Sequence, residues 1–149
     1  RGLGDVYKRQ GWIVFNVHRG HEAKTYINFK MKYHHGHGGG GVVTKGVIQH
    51  QRMGAQVDGA DVLWMGHVHE DYEMTYTVEQ LTQHDTVMLR DILMIRTSAY
   101  KEEYGDGSKG WHIERGASPK PIGGRWLILK PFRDKSTTRK IHAYTHKTL

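Results

Sequence analysis

Histidines crowd two short stretches of this sequence, and each stretch directly follows a run of residues typical of a β-strand. The first stretch holds His34, His35 and His37, and the second holds His67 and His69. In an extended chain, His67 and His69 point to the same side and lie about 6.5 Å apart along the backbone. Imidazoles placed in this way can reach two metal ions that are about 3.5–4 Å apart. The spacing therefore predicts a metal site with histidine ligands at two strand ends.

The first stretch leaves the choice of ligand open. If the alternation of the preceding strand continues, His34 and His35 face opposite ways, so only one of them points into a shared site. His37 is a candidate for a contact behind the ligands or for a contact to a substrate phosphate. The other histidines stand apart from these stretches, and we expect ordinary surface or core roles for them: His18, His21, His50, His84, His112, His142 and His146.

The hydrophobic pattern predicts the strands that must deliver these histidines. Residues 12–17 form a short apolar run, and residues 25–33 alternate with a period of two, which predicts a half-buried strand. The apolar side of this alternation is made of Ile27, Phe29, Met31 and Tyr33. Residues 61–65 are almost wholly apolar, which predicts a strand buried on both faces. The strands at 25–33 and 61–65 each end beside a histidine stretch.

Other elements follow from glycine, capping and strand signals. Four consecutive glycines at 38–41 exclude a regular element there. Residues 44–57 predict a helix with Thr44 as its N-cap. Its inner face is expected to include Val47, Ile48 and Ala55. Beyond the second histidine stretch the pattern predicts strands at 72–81, 86–98, about 124–130 and about 139–144, with a turn at 82–85 and a loop at 101–109.

Several acidic and aromatic residues lie near the second histidine stretch or further along the chain. We expect Asp61 to start its strand beside solvent. For Glu70 and Asp71, a solvated rim is favoured over a role in orienting a ligand imidazole through its second ring nitrogen. We expect the side chains of Trp64 and Trp126 in the hydrophobic core.

Composition narrows the class of protein. The chain has 149 residues, enough for one domain, and no cysteine, which excludes disulfides, zinc–thiolate sites and a cysteine nucleophile. A net charge of +7 favours polyanionic partners such as nucleic acid, although it would equally serve solubility. No apolar run is long enough to cross a bilayer, so we expect no membrane partner. The oligomeric state stays open.

Two motifs in this sequence resemble those of one enzyme family. Gly66-His67-Val68-His69, preceded by its apolar strand, is similar to the closing Gly-His-x-His motif of calcineurin-like metallophosphoesterases. His35-Gly36 resembles the single-histidine motif of the same family, and the glycine loop and helix between the motifs have the expected spacing. The resemblance spans about residues 25–126, and the run from His34 to His69 looks most like phage-borne members.

The resemblance implies a fold, a pair of metal ions and a reaction. The family fold is α/β (α+β), a sandwich of two β-sheets flanked by helices, of which this chain would supply the C-terminal, mostly antiparallel-β half. On the matching positions, His35 and His67 would bind one divalent ion and His69 the other, with His34 and His37 in supporting or substrate-contacting roles. Mn²⁺ is the expected ion, with Fe, Zn or Ni as alternatives. The ions would activate water for attack on a phosphomonoester, a phosphodiester or a nucleic acid, and the basic charge favours nucleic acid or a nucleotide.

The remaining motifs of the family have no counterpart here. The Asp-x-His, Gly-Asp and Gly-Asn-His motifs match nothing after residue 10, so we expect an inactive fragment whose proton donor lies in a missing N-terminal half. Residues 1–10 (RGLGDVYKRQ) resemble an adapter read-through peptide of metagenomic reading frames, which predicts a non-native leader. A phosphoesterase segment would then span 11–132, followed by a basic strand or tail at 133–149. A phage origin would place the protein in the cytoplasm of a bacterial host.

Two other functions fit parts of the sequence. A basic, strand-rich module that binds nucleic acid would explain the charge and leave the histidines incidental. Nucleotide binding is suggested by Gly36-x-Gly38-x-x-Gly41, which satisfies the dinucleotide-binding pattern between a strand and a helix. That pattern also calls for an acidic residue at the end of the next strand. Glu70 is the nearest candidate, and it comes later than expected.

Overall fold

Seven strands and two helices make up the part of the chain that the structure describes. The computed structural model describes residues 9–18, 26–39, 41–100, 111–114, 116, 118–133 and 139–148. In chain order the elements are β1 (Gln10–His18), β2 (Tyr26–His34), α1 (Val47–Gln56), β3 (Val62–Met65), β4 (Tyr72–Leu81), β5 (Val87–Arg96), α2 (Trp111–Glu114), β6 (Gly124–Arg133) and β7 (Arg139–Thr148). No helix in these ranges is long and apolar enough to cross a membrane.

Five of the strands form one mixed sheet in the order β1-β2-β3-β5-β4. Its three central strands run parallel to one another, while β1 and β4 pair antiparallel with their neighbours. Strands β6 and β7 form a second, antiparallel sheet. The predicted mixed α/β class with mainly strands is therefore confirmed, and the predicted turn at 82–85 joins β4 to β5, with the Thr82 backbone N–H donating to the Thr86 carbonyl at 2.9 Å.

The three parallel strands end at the same edge of the sheet. The register aligns His34 with Met65 and Met65 with Arg96, which are the last residues of β2, β3 and β5. In open sheets of parallel strands, ligands bind outside the carboxyl ends, where the chain leaves the sheet through loops. The residues that directly follow β2, β3 and β5 are therefore brought together at this edge.

One face of the five-stranded sheet packs against the second sheet. The buried residues of this layer are Phe29, Met31, Val62, Leu93 and Ile95, and residues of β6 and β7 that pack on them are Leu127, Leu129, Ile141 and Ala143. The predicted alternation of β2 is confirmed at Phe29 and Met31. Tyr33 departs from it, with 38% of its surface exposed, because it stands at the strand end beside an open cavity.

The other face of the large sheet packs against α1, whose predicted boundaries and inner face need correction. The helix begins at Val47 after Gly46, whose φ of 78° is left-handed, and the predicted N-cap Thr44 makes no capping hydrogen bond. Ile48 and Ala55, predicted on or near the inner face, are exposed. His50 is instead the buried residue of the helix. A polar residue can take this position because partners in the sheet satisfy both of its ring nitrogens.

Two predictions about surface and core are wrong. Glu70 is buried and Asp71 is half-buried, so neither lies on a solvated rim. Lys120 pairs with Glu70, and Arg125 pairs with Asp71. Trp126 lies 65% exposed instead of in the core, because β6 presents it on the face turned away from the large sheet. Trp64 is half-buried and packs against the core, as predicted.

The predicted ends of the chain are only partly described. Residues 1–8 of the predicted leader lie outside the described residues, as does the predicted loop at 101–109. Gln10, the last leader residue, begins β1 and pairs with His34. Residues 139–148 of the predicted basic strand or tail form β7, which pairs with β6 along its whole length.

Candidate metal centre

The two predicted ligand stretches meet at the edge where the parallel strands end. Nε2 of His35 lies 3.1 Å from Nδ1 of His67, and the ring centroids are 5.0 Å apart with the rings inclined at 69°. A backbone hydrogen bond of 3.2 Å from the Gly66 N–H to the His35 carbonyl joins the two loops. The structure therefore places two imidazoles from neighbouring strands nitrogen to nitrogen.

Gly36 permits this close approach. Its φ is 98°, a conformation that residues with a side chain rarely adopt. A Cβ at this position would lie 2.8 Å from the Gly66 carbonyl oxygen and 2.9 Å from the Cβ of His67. The glycine of the His35-Gly36 motif is therefore required both by its backbone conformation and by the space that the second loop occupies.

The backbone at the second stretch is not extended. The extended geometry from which His67 and His69 were placed on the same side is therefore wrong. The φ angles of His67 and His69 are 76° and 56°, both left-handed. The Val68 N–H donates to the Gly66 carbonyl at 3.1 Å, which closes a three-residue γ-turn around His67. A central φ near +75° is the strained form of this turn. Strain of this kind, of order 1–3 kcal/mol for each residue, is concentrated at functional sites.

His69 shares a cavity with the pair. A depression of about 680 Å³ is lined by His35, His67 and His69 together with residues of the strand ends. The charge of His69 is among the influences that lower the pKa of His67. All three predicted ligands therefore face one cavity.

His34 and His37 lie beside each other, and His34 also lines the first cavity. Their ring centroids are 6.0 Å apart, and Nδ1 of His34 accepts a hydrogen bond of 2.7 Å from the Gly36 N–H. Both residues line a second cavity of about 370 Å³ along α1, with Arg52 and Lys32 among its other walls. In this geometry His35 pairs with His67, while His34 stands beside His37 and lines both cavities.

Burial and positive neighbours favour the neutral form of His67 and His34. Burial is the main cause that lowers the pKa of His67 from its usual value, followed by the charges of His35, His69, Arg96 and His37. The pKa of His34 is also lowered, first by burial and then by His37, Lys32 and His35. Neutral imidazole is the form that binds a metal ion.

Arg96 supports the second loop from within the fold, and sequence reasoning missed it. Its side chain is fully buried at the end of β5, donating to the carbonyls of Gly66 at 2.6 Å and of Gly46 at 3.0 Å. Within the described ranges no carboxylate forms an ion pair with it. The sequence did offer a signal for it: Arg96 directly follows the apolar residues at the end of β5. An arginine in such a buried position needs hydrogen-bond acceptors around it.

His50 is a core residue, within the surface or core roles that the sequence predicted for the isolated histidines. Its Nε2 is 2.9 Å from the Leu63 carbonyl, and its Nδ1 is 3.0 Å from the Tyr72 hydroxyl. Because a carbonyl only accepts, Nε2 carries the proton and Nδ1 accepts from Tyr72. Burial, reinforced by the charge of Arg96 and opposed by the Leu63 hydrogen bond, lowers the pKa of His50 to about 4.

The glycine loop does not lead directly into the N-terminus of α1, as the glycine loop of a dinucleotide-binding site does. Such a motif places its glycines at the turn from strand to helix, so that the helix N-terminus faces the pyrophosphate. Here α1 begins at Val47, after a further turn that follows Gly41. The nucleotide-binding alternative therefore lacks the local geometry on which it depends.

The pair is not a complete metal site among the described residues. Within those ranges, no group of three or more His, Asp or Glu side chains is arranged to hold a metal ion. Comparisons of the chain with protein-family models, with curated proteins and with solved structures found no match. What this edge of the sheet can bind follows from its own distances and donor atoms.

Proposed function

We propose that this chain carries part of the centre of a metal-dependent phosphoesterase. In this proposal His35 and His67 bind one divalent ion, and His69 binds the second. The observation that supports it most directly is the 3.1 Å separation between Nε2 of His35 and Nδ1 of His67 at the ends of adjacent parallel strands. The neutral state that the lowered pKa of His67 favours is the state that a metal ion requires.

The nitrogen separation fits a shared ion. Two nitrogens bound to one ion at about 2.0–2.1 Å are about 2.9 Å apart in an octahedral arrangement and about 3.4 Å apart in a tetrahedral one. The value of 3.1 Å for His35 and His67 falls between these limits. The imidazoles therefore need little movement to bind. The ring that donates the shared N–H would carry that proton on its other nitrogen instead, so both ligands stay neutral imidazoles.

The other residues of this edge have supporting roles in the proposal. The cavity of about 680 Å³ in front of the pair offers room for a phosphate ester, with Tyr33 and Ser98 in its walls. His34 and His37 are candidates for contacts to a substrate phosphate from the neighbouring cavity. Two bound divalent ions, Mn²⁺ first with Fe, Zn or Ni as alternatives, would supply activated water and offset charge on the phosphoryl oxygens. The remaining ligands and the proton donor come from outside the described residues.

Hydrolysis by the protein expressed from its complete reading frame tests the proposed function. We expect Mn²⁺-dependent cleavage of bis-p-nitrophenyl phosphate or p-nitrophenyl phosphate, lost in EDTA and in His67→Ala. His84→Ala is the control, because His84 is exposed in the turn between β4 and β5. Cleavage that survives His67→Ala, or the absence of cleavage with every metal tried, would contradict the proposal.

Metal titration of the present chain tests the pair independently of activity. Calorimetry with Mn²⁺, Co²⁺ or Zn²⁺ should show binding that His35→Ala and His67→Ala each weaken by at least about tenfold, with His84→Ala unchanged. The double variant should lose little more than either single variant, because both residues hold the same ion. Independent, additive losses would show that the two histidines do not share one.

A further inference from the structure

The two faces of the hairpin formed by β6 and β7 carry different sets of charged residues. On the face turned towards the large sheet, Nε of Arg125 lies 2.6 Å from Oδ1 of Asp71, and Nζ of Lys147 lies 3.2 Å from Oδ2 of the same carboxylate. Glu73 accepts hydrogen bonds from Arg125 and from the Thr145 N–H. The cations of this inner face are therefore matched with acids.

Among its described residues, the opposite face of the hairpin presents aromatic rings, lysines and histidines. We call this surface the outer ribbon face; it is made of alternate residues of the two strands, Trp126, Ile128, Lys130 and Phe132 on β6 and Lys140, His142, Tyr144 and His146 on β7. Trp126 is 65% exposed and Phe132 is 44% exposed. Positive charge and exposed aromatic surface thus share one face of the hairpin.

Aromatic rings and cations are interleaved on the outer ribbon face. Nζ of Lys130 on β6 lies 5.6 Å from the centroid of the Tyr144 ring on β7. The centroid of the His142 ring, two positions before Tyr144 on the same strand, lies 5.4 Å from the Tyr144 centroid. Each strand has ten residues and spans about 33 Å. That length is sufficient for several nucleotides of an extended chain.

We propose that the outer ribbon face binds single-stranded nucleic acid. Unpaired bases stack on exposed aromatic rings, here Trp126 and Phe132, while the phosphates contact the lysines of this face, above all Lys130. A duplex fits less well, because its bases are already stacked on one another and cannot stack on Trp126. A second copy of the chain also fits less well, because two such faces would bring cations against cations.

This inference does not depend on the proposed phosphoesterase function. No residue of the outer ribbon face lines the cavity in front of His35 and His67. The ribbon should therefore bind nucleic acid without metal ions, and a failure of one proposal leaves the other standing.

Fluorescence anisotropy with a labelled oligo-dT of about 12 nucleotides tests the proposal. We expect binding in EDTA at about 50 mM salt that Trp126→Ala weakens roughly 5- to 150-fold, the usual effect of losing one stacked base. Lys130→Gln should reduce the slope of log affinity against log salt by about 0.7, the value for one phosphate contact on a single strand. A duplex of the same length should bind more weakly than the single strand.

Trp12→Ala is the matched control. Trp12 is an exposed tryptophan, 42% accessible, on β1 of the other sheet, with Nζ of Lys32 at 5.6 Å from its ring centroid. We expect this variant to bind the oligonucleotide as the parent chain does, and circular dichroism checks that both variants fold. The proposal is overturned if the chain does not bind the oligonucleotide at low salt, or if Trp12→Ala and Trp126→Ala weaken binding equally. It is also overturned if sedimentation shows a dimer that dissociates only in Trp126→Ala.

Discussion

Arg96 donates a hydrogen bond of 2.6 Å to the carbonyl of Gly66, the residue directly before His67. A second bond of 3.0 Å from the same guanidinium reaches the carbonyl of Gly46 at the start of α1. One buried side chain thus ties the loop after β3 to the helix that follows the glycine run. The position of His67 depends on this tie as well as on its own turn.

Replacement of this guanidinium should be costly. Arg96→Met removes the donors to two buried carbonyls, and each unsatisfied group costs about 1–3 kcal/mol of unfolding free energy. Arg90→Met is the matched control on the same strand, because its ion pair with Asp58 at 3.9 Å is largely exposed on the Asp58 side. It should cost less than about 1 kcal/mol. Urea unfolding measures the unfolding free energy of both variants. Equal losses would show that the Arg96 hydrogen bonds stabilise the fold no more than the exposed Arg90 ion pair does.

Gly36→Ala should separate backbone strain from steric conflict. Gly59 also has a left-handed φ, 81° against 98° for Gly36, but nothing lies within 4 Å of the Cβ it would gain. Gly59→Ala should therefore cost only the conformational strain of about 1–2 kcal/mol. Gly36→Ala adds a contact with the Gly66 carbonyl and His67, so we expect a larger loss of stability together with weaker metal binding. Urea unfolding and metal titration test both variants, and equal effects would contradict the close approach.

His50 should make the protein less stable in mild acid. Its folded-state pKa of about 4 lies below the value near 6.5 of an unfolded chain, so the unfolded state takes up the proton first. Its contribution is present above pH 6.5 and is lost as the pH falls from about 6.5 to about 4, by about 3 kcal/mol. His50→Gln should remove this part of the pH dependence, and His84→Gln should keep it. If the unfolding free energies of His50→Gln and of the parent chain change equally with pH across this range, His50 is not the source of the pH dependence.

Asp71 should stabilise the contact between the two sheets. Burial alone would raise its pKa, but hydrogen bonds from Arg125 and Lys147 outweigh burial and lower the pKa below the usual 3.8. A depressed folded-state pKa stabilises the fold above the unfolded value, and this contribution is lost as the pH falls through the folded one. Asp71→Asn should cost about 1–3 kcal/mol at neutral pH, because both cations lose their carboxylate.

Asp58→Asn is the control for this position. The side chain of Asp58 is 97% exposed, and its partner Arg90 is 3.9 Å away. Such a surface substitution should change the unfolding free energy by no more than about 0.5 kcal/mol. Thermal unfolding at pH 7 compares the two variants, and a similar small effect for both would show that the Asp71 ion pairs do not hold the sheets together.

Local pattern was enough to predict most elements and that the two histidine stretches meet at one edge of the sheet. The alternation in β2 and the apolar run of β3 are local signals of burial, and both strands lie where the sequence predicted them. The γ-turn at His67 carried no such signal, because its φ of 76° belongs to a side-chain-bearing residue that usually avoids it. Extended geometry was therefore the wrong basis for placing His67 and His69.

Two other features of the fold depend on partners that are distant in the sequence. Asp71 is half-buried because Arg125 pairs with it from β6, across 54 positions of the sequence. His50 turns inward because Leu63 and Tyr72 satisfy its ring. Composition and periodicity describe neighbours along the chain, so neither can reveal that a polar group will find such a partner in the folded state.

The short strand β3 has a consequence for how this protein folds. It has four residues and is held only by parallel neighbours, β2 and β5, each paired with residues 31 positions away. Hairpins such as β1–β2 and β4–β5 close small loops and form quickly, whereas parallel pairing of distant segments is slow. We therefore expect the two imidazoles to come together late, and a partly folded chain that contains only its hairpins lacks the pair altogether.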